Sequence, residues 1–344
     1  TTHWETPSHE PENGSLILRP EVDTVEGPMP AKRGPFAPDE GCGMGFHKCE
    51  ESPLHKQSDL CAGCHQVYHY EAHFPLEATY LEWKHGPYAQ NGIHCQDCHM
   101  VETETFIQSA DSFRKPVSGE YRHFFNGANY LLYHLARAAA EKAGDLELAS
   151  NLQNKFDMAV RRLQSAANLE IKPIYQNGIL AEIRIRVQNV RAGHNLPTSL
   201  TNIRQMWLEL SVRDEQGNLI LSSGTLDEDG HLPENARVFN SEGMGTDLHF
   251  AVDPWVVTAF SRHDTIPPKG YKDVYYGLNS SGINGKARIE AKLRYRQADQ
   301  KIAEKLLDNA SQNIDLQAVY GLTEVPTLPV IDMVTAQIEV SSTK

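Results

Sequence analysis

The pentapeptides Cys61-Ala62-Gly63-Cys64-His65 and Cys95-Gln96-Asp97-Cys98-His99 constrain this chain more than any other feature. Cys-x-x-Cys-His is the pattern to which c-type haem is covalently attached. The two thiols add across the porphyrin vinyl groups, and the imidazole that follows falls beneath the iron as its proximal ligand. One copy can arise by chance; two copies 34 residues apart, in a stretch crowded with further histidines, form a strong signal. Two Cys-x-x-Cys pairs are also the raw material of a four-thiolate zinc site. A histidine directly after each second cysteine is unnecessary for zinc, and the 30 intervening residues exceed the usual ribbon spacing, so haem is the preferred reading.

With 344 residues the chain is long enough for two domains, each with its own core. No apolar run approaches the roughly 20 residues needed to span a bilayer. The nearest, Val325 to Val334, is short and carries two prolines and an aspartate, so no membrane span is expected. A net charge of −13 argues against nucleic acid or an anionic membrane surface as partner. It suits a redox partner protein with a basic docking patch, or serves solubility. The chain opens at Thr1 without a secretory signal. Covalent haem attachment takes place outside the cytoplasm, so a removed leader or a larger parent chain is implied, and the expected location is periplasmic or extracellular. Four of six cysteines belong to the motifs, leaving Cys42 and Cys49. In an oxidising compartment this pair is expected to close a small disulfide loop through Gly43 and Gly45; free thiols and a third haem attachment are the alternatives.

Histidine divides the chain: twelve of sixteen lie in residues 1–134. That region is rich in Pro, Gly and turn formers, with little sustained periodicity before residue 120. A haem-filled domain should look like this, because porphyrin supplies apolar core that side chains would otherwise provide. From Asn129 the pattern becomes helical, with Tyr130, Leu131, Leu135 and Ala138 at three- and four-residue spacing up to Gly144, a candidate left-handed C-cap. Asp145 then caps a second helix with Leu152, Phe156, Ala159, Val160 and Leu163 on one face. Beyond about residue 172 the period changes to two. Ile179 to Val187, Met206 to Val212 and Ala287 to Tyr295 alternate apolar with polar residues, Asp214 to Asn218 reads as a turn, and Ile338 with Val340 marks a last strand. Residues 297–315 read as a helical insertion. The fold class expected is α+β and multidomain: a loop-rich haem domain over 1–125, a helical hairpin over 126–171, and a C-terminal antiparallel, Ig-like β-sandwich over 172–344.

The proximal ligands are His65 and His99, with Cys61, Cys64, Cys95 and Cys98 as thioether positions. Each iron's sixth position then decides the chemistry: a second histidine gives a low-spin carrier, an open position a site that binds small molecules. His69 and His73 follow their motif too closely to reach the distal face, and His94 abuts Cys95; packing or solvated roles suit these three. His85 and His134 are further histidines of the region. His123 sits between aromatics in Tyr121-Arg122-His123-Phe124-Phe125. His194 lies in the rigid loop Gly193-His194-Asn195-Leu196-Pro197-Thr198, able to bring a ligand from the β-sandwich back to the haem domain. His55, in Ser52-Pro53-Leu54-His55, is the third candidate distal ligand, followed by His47. Each also fits a bland role as a hydrogen-bonded core or loop histidine.

These segments resemble the multihaem c-type cytochromes of the cytochrome c554 and hydroxylamine oxidoreductase-like class, and more closely the secreted bacterial members with a C-terminal β-domain. Ser52 to His65, Thr79 to Trp83, Gly86 to Ala89, Gly92 to Met100, His123 to Gly127 and Gly193 to Thr198 carry the resemblance, which extends through most of residues 35–340 and is looser in the β-domain. Members of that group generally carry further haem motifs upstream; this chain has none, and Thr1 to Glu40 resembles the linker that follows such a motif. Cys42 and Cys49 also depart from the usual pattern. The resemblance implies electron transfer through bis-histidine iron, in a group that includes true enzymes.

Two haem c groups, with a third left open by Cys42 and Cys49, therefore point first to an electron carrier between redox partners. The alternatives are a haem enzyme with one open iron acting on peroxide, nitrogen oxides or hydroxylamine, and a self-associating subunit of an extracellular cytochrome filament, with His3 or His9 ligating a neighbour's haem. No paired carboxylates, nucleophile elbow or phosphate loop competes.

Overall fold

A computed structural model describes residues 11–16, 19–39, 42–43, 45–279, 285–308 and 327–343. His3 and His9 lie outside the described residues. The structure is α+β, with eight α-helices among the described residues and several sheets, and the C-terminal strands pair antiparallel.

The N-terminal part is made of short pieces. Strands β1 (Glu21–Thr24), β2 (Gly27–Gly34) and β3 (Lys48–Glu51) form a small sheet, and a 3-10 turn (Pro53–Lys56) leads into helix α1 (Asp59–His65), which carries the first motif. Strands β4 (Val67–Tyr68) and β5 (Pro75–Glu77) follow, then helices α2 (Thr79–Lys84), α3 (Pro87–Gln90), α4 (Cys95–His99) with the second motif, and α5 (Thr103–Ser112). Cys42 and Cys49 are joined in a disulfide, which closes the expected loop and leaves the four motif cysteines as free thiols. Gly43 and Gly45 both adopt positive φ, and a Cβ on Gly43 would fall 2.0 Å from the His47 carbonyl oxygen, so glycine is required there. The apolar cluster of this region is small: six buried residues, Tyr88, Ile93, Cys98, Val101, Phe106 and Ala110, with Trp83, Ile107, Phe113 and Tyr121 packed around them.

Helix α6 (Tyr130–Ala143) ends at Gly144, in the left-handed conformation at φ 77°. Helix α7 (Leu146–Ala166) starts on Asp145, whose carboxylate accepts the Leu148 N–H. Helix α7 passes without a break into strand β6 (Ala167–Gln176), earlier than the alternation near residue 172 suggests. Asn168-Leu169-Glu170-Ile171 suits a helix or a strand locally, and antiparallel pairing with β7 (Ile179–Asn189), from Ala167 opposite Asn189, decides for the strand.

The remaining strands are β8 (Gln205–Asp214), β9 (Leu219–Ser223), β10 (Arg237–Phe239), β11 (Ser241–Met244), β12 (Ala259–His263), β13 (Tyr271–Gly277), β14 (Lys286–Arg296) and β15 (Ile331–Ser341). One sheet runs β10-β8-β14-β15 with β9 on β8; another runs β13-β7-β6; and β11 pairs with β12. Helix α8 (Gln300–Asp308) occupies the first half of the expected insertion, and residues 309–315 lie outside the described residues. Alternation does what it should: Ala287, Ile289, Ala291 and Leu293 of β14 face Ile183, Ile185 and Val187 of β7 in one core, all fully buried. Each fully buried Ile, Val or Leu among them contributes about 1.5–3 kcal/mol. Tyr130, Ala159, Leu163 and Ala166 of the helical hairpin belong to this same core. No helix among the described residues is long and apolar enough to cross a membrane.

Candidate functional site

A cavity of about 330 Å³ lies where the two motif helices meet the β-sandwich. Cys61 and His65 of α1 and Cys95, Cys98 and His99 of α4 line one side; Leu163 of α7, Met206 of β8, Tyr295 of β14 and Met333 of β15 line the other. The sandwich is thus a wall of the site. Cys64 is exposed and Cys98 buried.

Ser58 ties the motifs together. Its hydroxyl accepts the Cys95 N–H at 3.1 Å, and its own N–H donates to His94 Nδ1 at 3.3 Å. The side-chain amide of Gln96 donates to the carbonyls of His55 and Gln57, at 3.2 and 2.7 Å. Asp97 accepts the His94 N–H at 2.7 Å and the Tyr121 hydroxyl at 2.5 Å. Ser58 and Gln96 therefore tie the start of α1 to α4, and the neighbouring Cys95 together with burial holds the Cys61 thiol well above its ordinary range. Burial also pushes the Cys98 thiol up to about 12.

Opposite His99 stands His194. Their ring centroids are 6.3 Å apart and the planes differ by 17°. The spacing is too wide for ring stacking, but imidazole–metal bonds of about 2 Å end to end, plus the distance from each ring nitrogen to its centroid, sum to roughly this separation. His99 Nδ1 lies 2.7 Å from the Asn126 carbonyl and His194 Nδ1 lies 2.9 Å from the Asn195 carbonyl. A carbonyl can only accept, so each Nδ1 carries the proton and each Nε2 keeps its lone pair, the tautomer a metal needs. Burial, with Arg162 nearby, pushes His99 down to about 3, and burial likewise lowers His194, so both rings are neutral.

The His194 loop is held from several sides. The Asn189 amide, at the end of β7, donates to the His194 and Ile266 carbonyls and accepts the Ala192 N–H. Leu196 and Ile266 exchange backbone hydrogen bonds of 2.9 and 2.8 Å, and the Leu196–Pro197 peptide is cis. The Tyr88 hydroxyl reaches the Arg191 carbonyl at 3.1 Å. Glu82 of α2 accepts the Asn195 N–H at 3.1 Å and the Thr198 hydroxyl at 2.5 Å. Burial raises Glu82 above the usual carboxylate range.

His65 is placed differently. Its side chain is 61% exposed, and Nδ1 lies 3.0 Å from Glu77 Oε1, a contact that raises the imidazole's proton affinity. Among the described residues no imidazole faces His65 at the spacing seen for His99.

The other histidines sit elsewhere. His123 is exposed with its ring 5.8 Å from that of Phe125; Phe125 lines the cavity, whereas His123 is not among the lining residues. His55 is partly buried beside α4, with its Nδ1 unpartnered. His94 lines the cavity, and its ring lies 5.6 Å from Trp83. His69 Nε2 bonds the Trp255 carbonyl while its Nδ1 accepts from Glu71 and Ala72 N–H. His47 lies beside Cys49, His85 closes α2, and His134 packs on Phe156. His73 adopts positive φ in the turn before β5.

Among the described residues no group of three or more His, Cys, Asp or Glu gathers as an ion site, so the four thiols do not converge as zinc would require. The donor set fits haem instead: the Cys61, Cys95 and Cys98 thiols on the cavity wall, two imidazoles whose ring centroids lie 6.3 Å apart, and an apolar far wall. Glu77, Arg162 and Asn189 carry no sequence motif, and the roles of these three and of Glu82 and Asn126 rest on these contacts.

No family model and no curated protein matches the chain. Among solved structures its fold is similar to the crystal structure of a penta-haem cytochrome c552 from Thermochromatium tepidum, with a TM-score of 0.52 and 16% sequence identity. The match covers 94% of this chain and 62% of that one, so the chain spans less than two thirds of that protein. The architecture is therefore similar to that of a multihaem c-type cytochrome.

Proposed function

We propose that this protein is an electron-transfer c-type cytochrome carrying two covalent haems, one on Cys61, Cys64 and His65 and the other on Cys95, Cys98 and His99, with His194 as distal ligand on the second. The single observation that carries this reading is the facing pair His99 and His194, each with Nδ1 bonded to a carbonyl and Nε2 free. Bound there, haem supplies a one-electron iron couple. The chain's residues do the rest. Carbonyls and Glu77 fix ring orientation and donor strength, and the sandwich wall excludes water from the His99 side. Both motifs line one cavity and Ser58 bonds the Cys95 N–H, so the two attachment points are neighbours, which suits passage of an electron between them. A disulfide and the attachment chemistry support an extracytoplasmic location, and the acidic surface supports a partner with a basic patch.

The test is expression with cytochrome maturation machinery, followed by intact mass and a pyridine haemochrome assay. Two haems per chain are expected, and Cys95→Ala/Cys98→Ala should lose one. Colourless protein without a Soret band overturns the proposal. Wild-type iron that is high-spin and binds cyanide would favour the haem-enzyme alternative.

A further inference from the structure

Resting on the two-haem reading above, the structure assigns different electrochemical characters to the two motifs: we infer that the His65 site has the lower reduction potential and the His99 site the higher, giving electrons a preferred direction from the first motif to the second. The asymmetry lies in what each imidazole's Nδ1–H meets and in the nearest buried charge.

At the first motif the Nδ1–H of His65 points to a carboxylate, Glu77 Oε1 at 3.0 Å, and that carboxylate is only 12% exposed. A negative acceptor on the far side of the ring gives the imidazole part of an imidazolate's donor strength, and the added negative charge favours oxidised iron.

At the second motif both Nδ1–H groups meet neutral carbonyls, those of Asn126 and Asn195. Beside them lies a cation. The Arg162 side chain comes from α7, and the residue is 5% exposed. Its Nη1 donates to the Cys98 carbonyl at 2.7 Å, Nη2 donates to the Val101 carbonyl, and the guanidinium lies 4.8 Å from the centre of the Phe106 ring. Among the described residues no carboxylate forms an ion pair with it. The nearest buried carboxylate along the motif, Asp97, is spent on the His94 N–H and the Tyr121 hydroxyl. Burial lowers Arg162 only to about 10, so it stays charged at neutral pH. An uncompensated positive charge in a low-dielectric setting favours the added electron. Transfer is a single-electron exchange without a proton: the His65 side is oxidised, the His99 side is reduced, and one-electron redox partners supply and remove the electron.

The experiment is an optical redox titration of the holoprotein, with electron paramagnetic resonance to resolve two components. Glu77→Gln should raise the lower midpoint more than the upper, because this carboxylate hydrogen-bonds His65 but acts on His194 only through its charge. Arg162→Gln should lower the upper midpoint and leave the lower in place, while Arg162→Lys restores it. A tenfold change in the reduced-to-oxidised ratio, about 59 mV for a one-electron couple, is the expected size for each. Coincident midpoints in the wild type, a larger movement of the opposite component, or two haems with unmoved midpoints overturns the inference. If Arg162→Gln does not fold, Glu77→Gln decides by whether the lower midpoint rises. Absence of haem in the wild type would instead sink the two-haem reading itself, so the two failures are distinct.

Discussion

His194 shows how much a single side chain can decide here. It sits 95 positions along the chain from His99, yet the two ring centroids lie 6.3 Å apart in the cavity wall, each ring held in one tautomer by a carbonyl. On the proposed arrangement, removing it leaves the second motif's iron without its distal donor. In His194→Ala, one of two haems is expected to turn high-spin and to bind cyanide, with the other unchanged, as read by electron paramagnetic resonance and optical spectra. An all-low-spin variant would transfer the role to His123, His55 or another ring. The sequence offered several rings of equal chemistry, and what separates them is position: His194 lines the cavity, while His123 is exposed and His55 faces α4.

The helical hairpin was legible because its signals are local. Three- and four-residue spacing fixes the faces of α6 and α7, Gly144 supplies the left-handed residue, and Asp145 caps the next helix. Asp145→Ala should cost about 0.5–2 kcal/mol in urea unfolding followed by circular dichroism, with the Soret spectrum unaltered. Strands β7, β8 and β14 were legible for the same reason, through period-two alternation, whereas of β15 only the end at Ile338 and Val340 stood out. Strands β10 to β12 have only three to five residues each, too few to show a period, and pairing with a neighbour makes them strands. The early start of β6 belongs with them, since its local pattern fits two structures and the sheet selects one.

For the molecule as a whole, charge and division of labour matter most. The N-terminal part packs a small apolar cluster, while the C-terminal part builds a large one, and the cavity lies between them. The sandwich thus completes the site as well as sharing its core with the helical hairpin. With a net charge of −13, long-range attraction should govern encounters. Oxidation of the reduced protein by a tricationic metal complex should slow as salt rises from about 0.01 to 0.15 M, while oxidation by a trianionic one speeds up, because the screening length falls from about 30 to 8 Å. Stopped-flow rates check this, and salt-independent rates with both reagents would remove charge from any account of partner choice.

Covalent chemistry and short-range periodicity are written along the chain: five residues suffice for an attachment motif, and one or two turns or strand repeats suffice for an element. Which imidazole stands across from His99, which acceptor each ring meets, and where a buried guanidinium comes to rest depend on residues tens to more than a hundred positions apart. Such pairs leave no local pattern, because they are brought together by packing of the sandwich and hairpin against the motif helices and not by any neighbour in sequence.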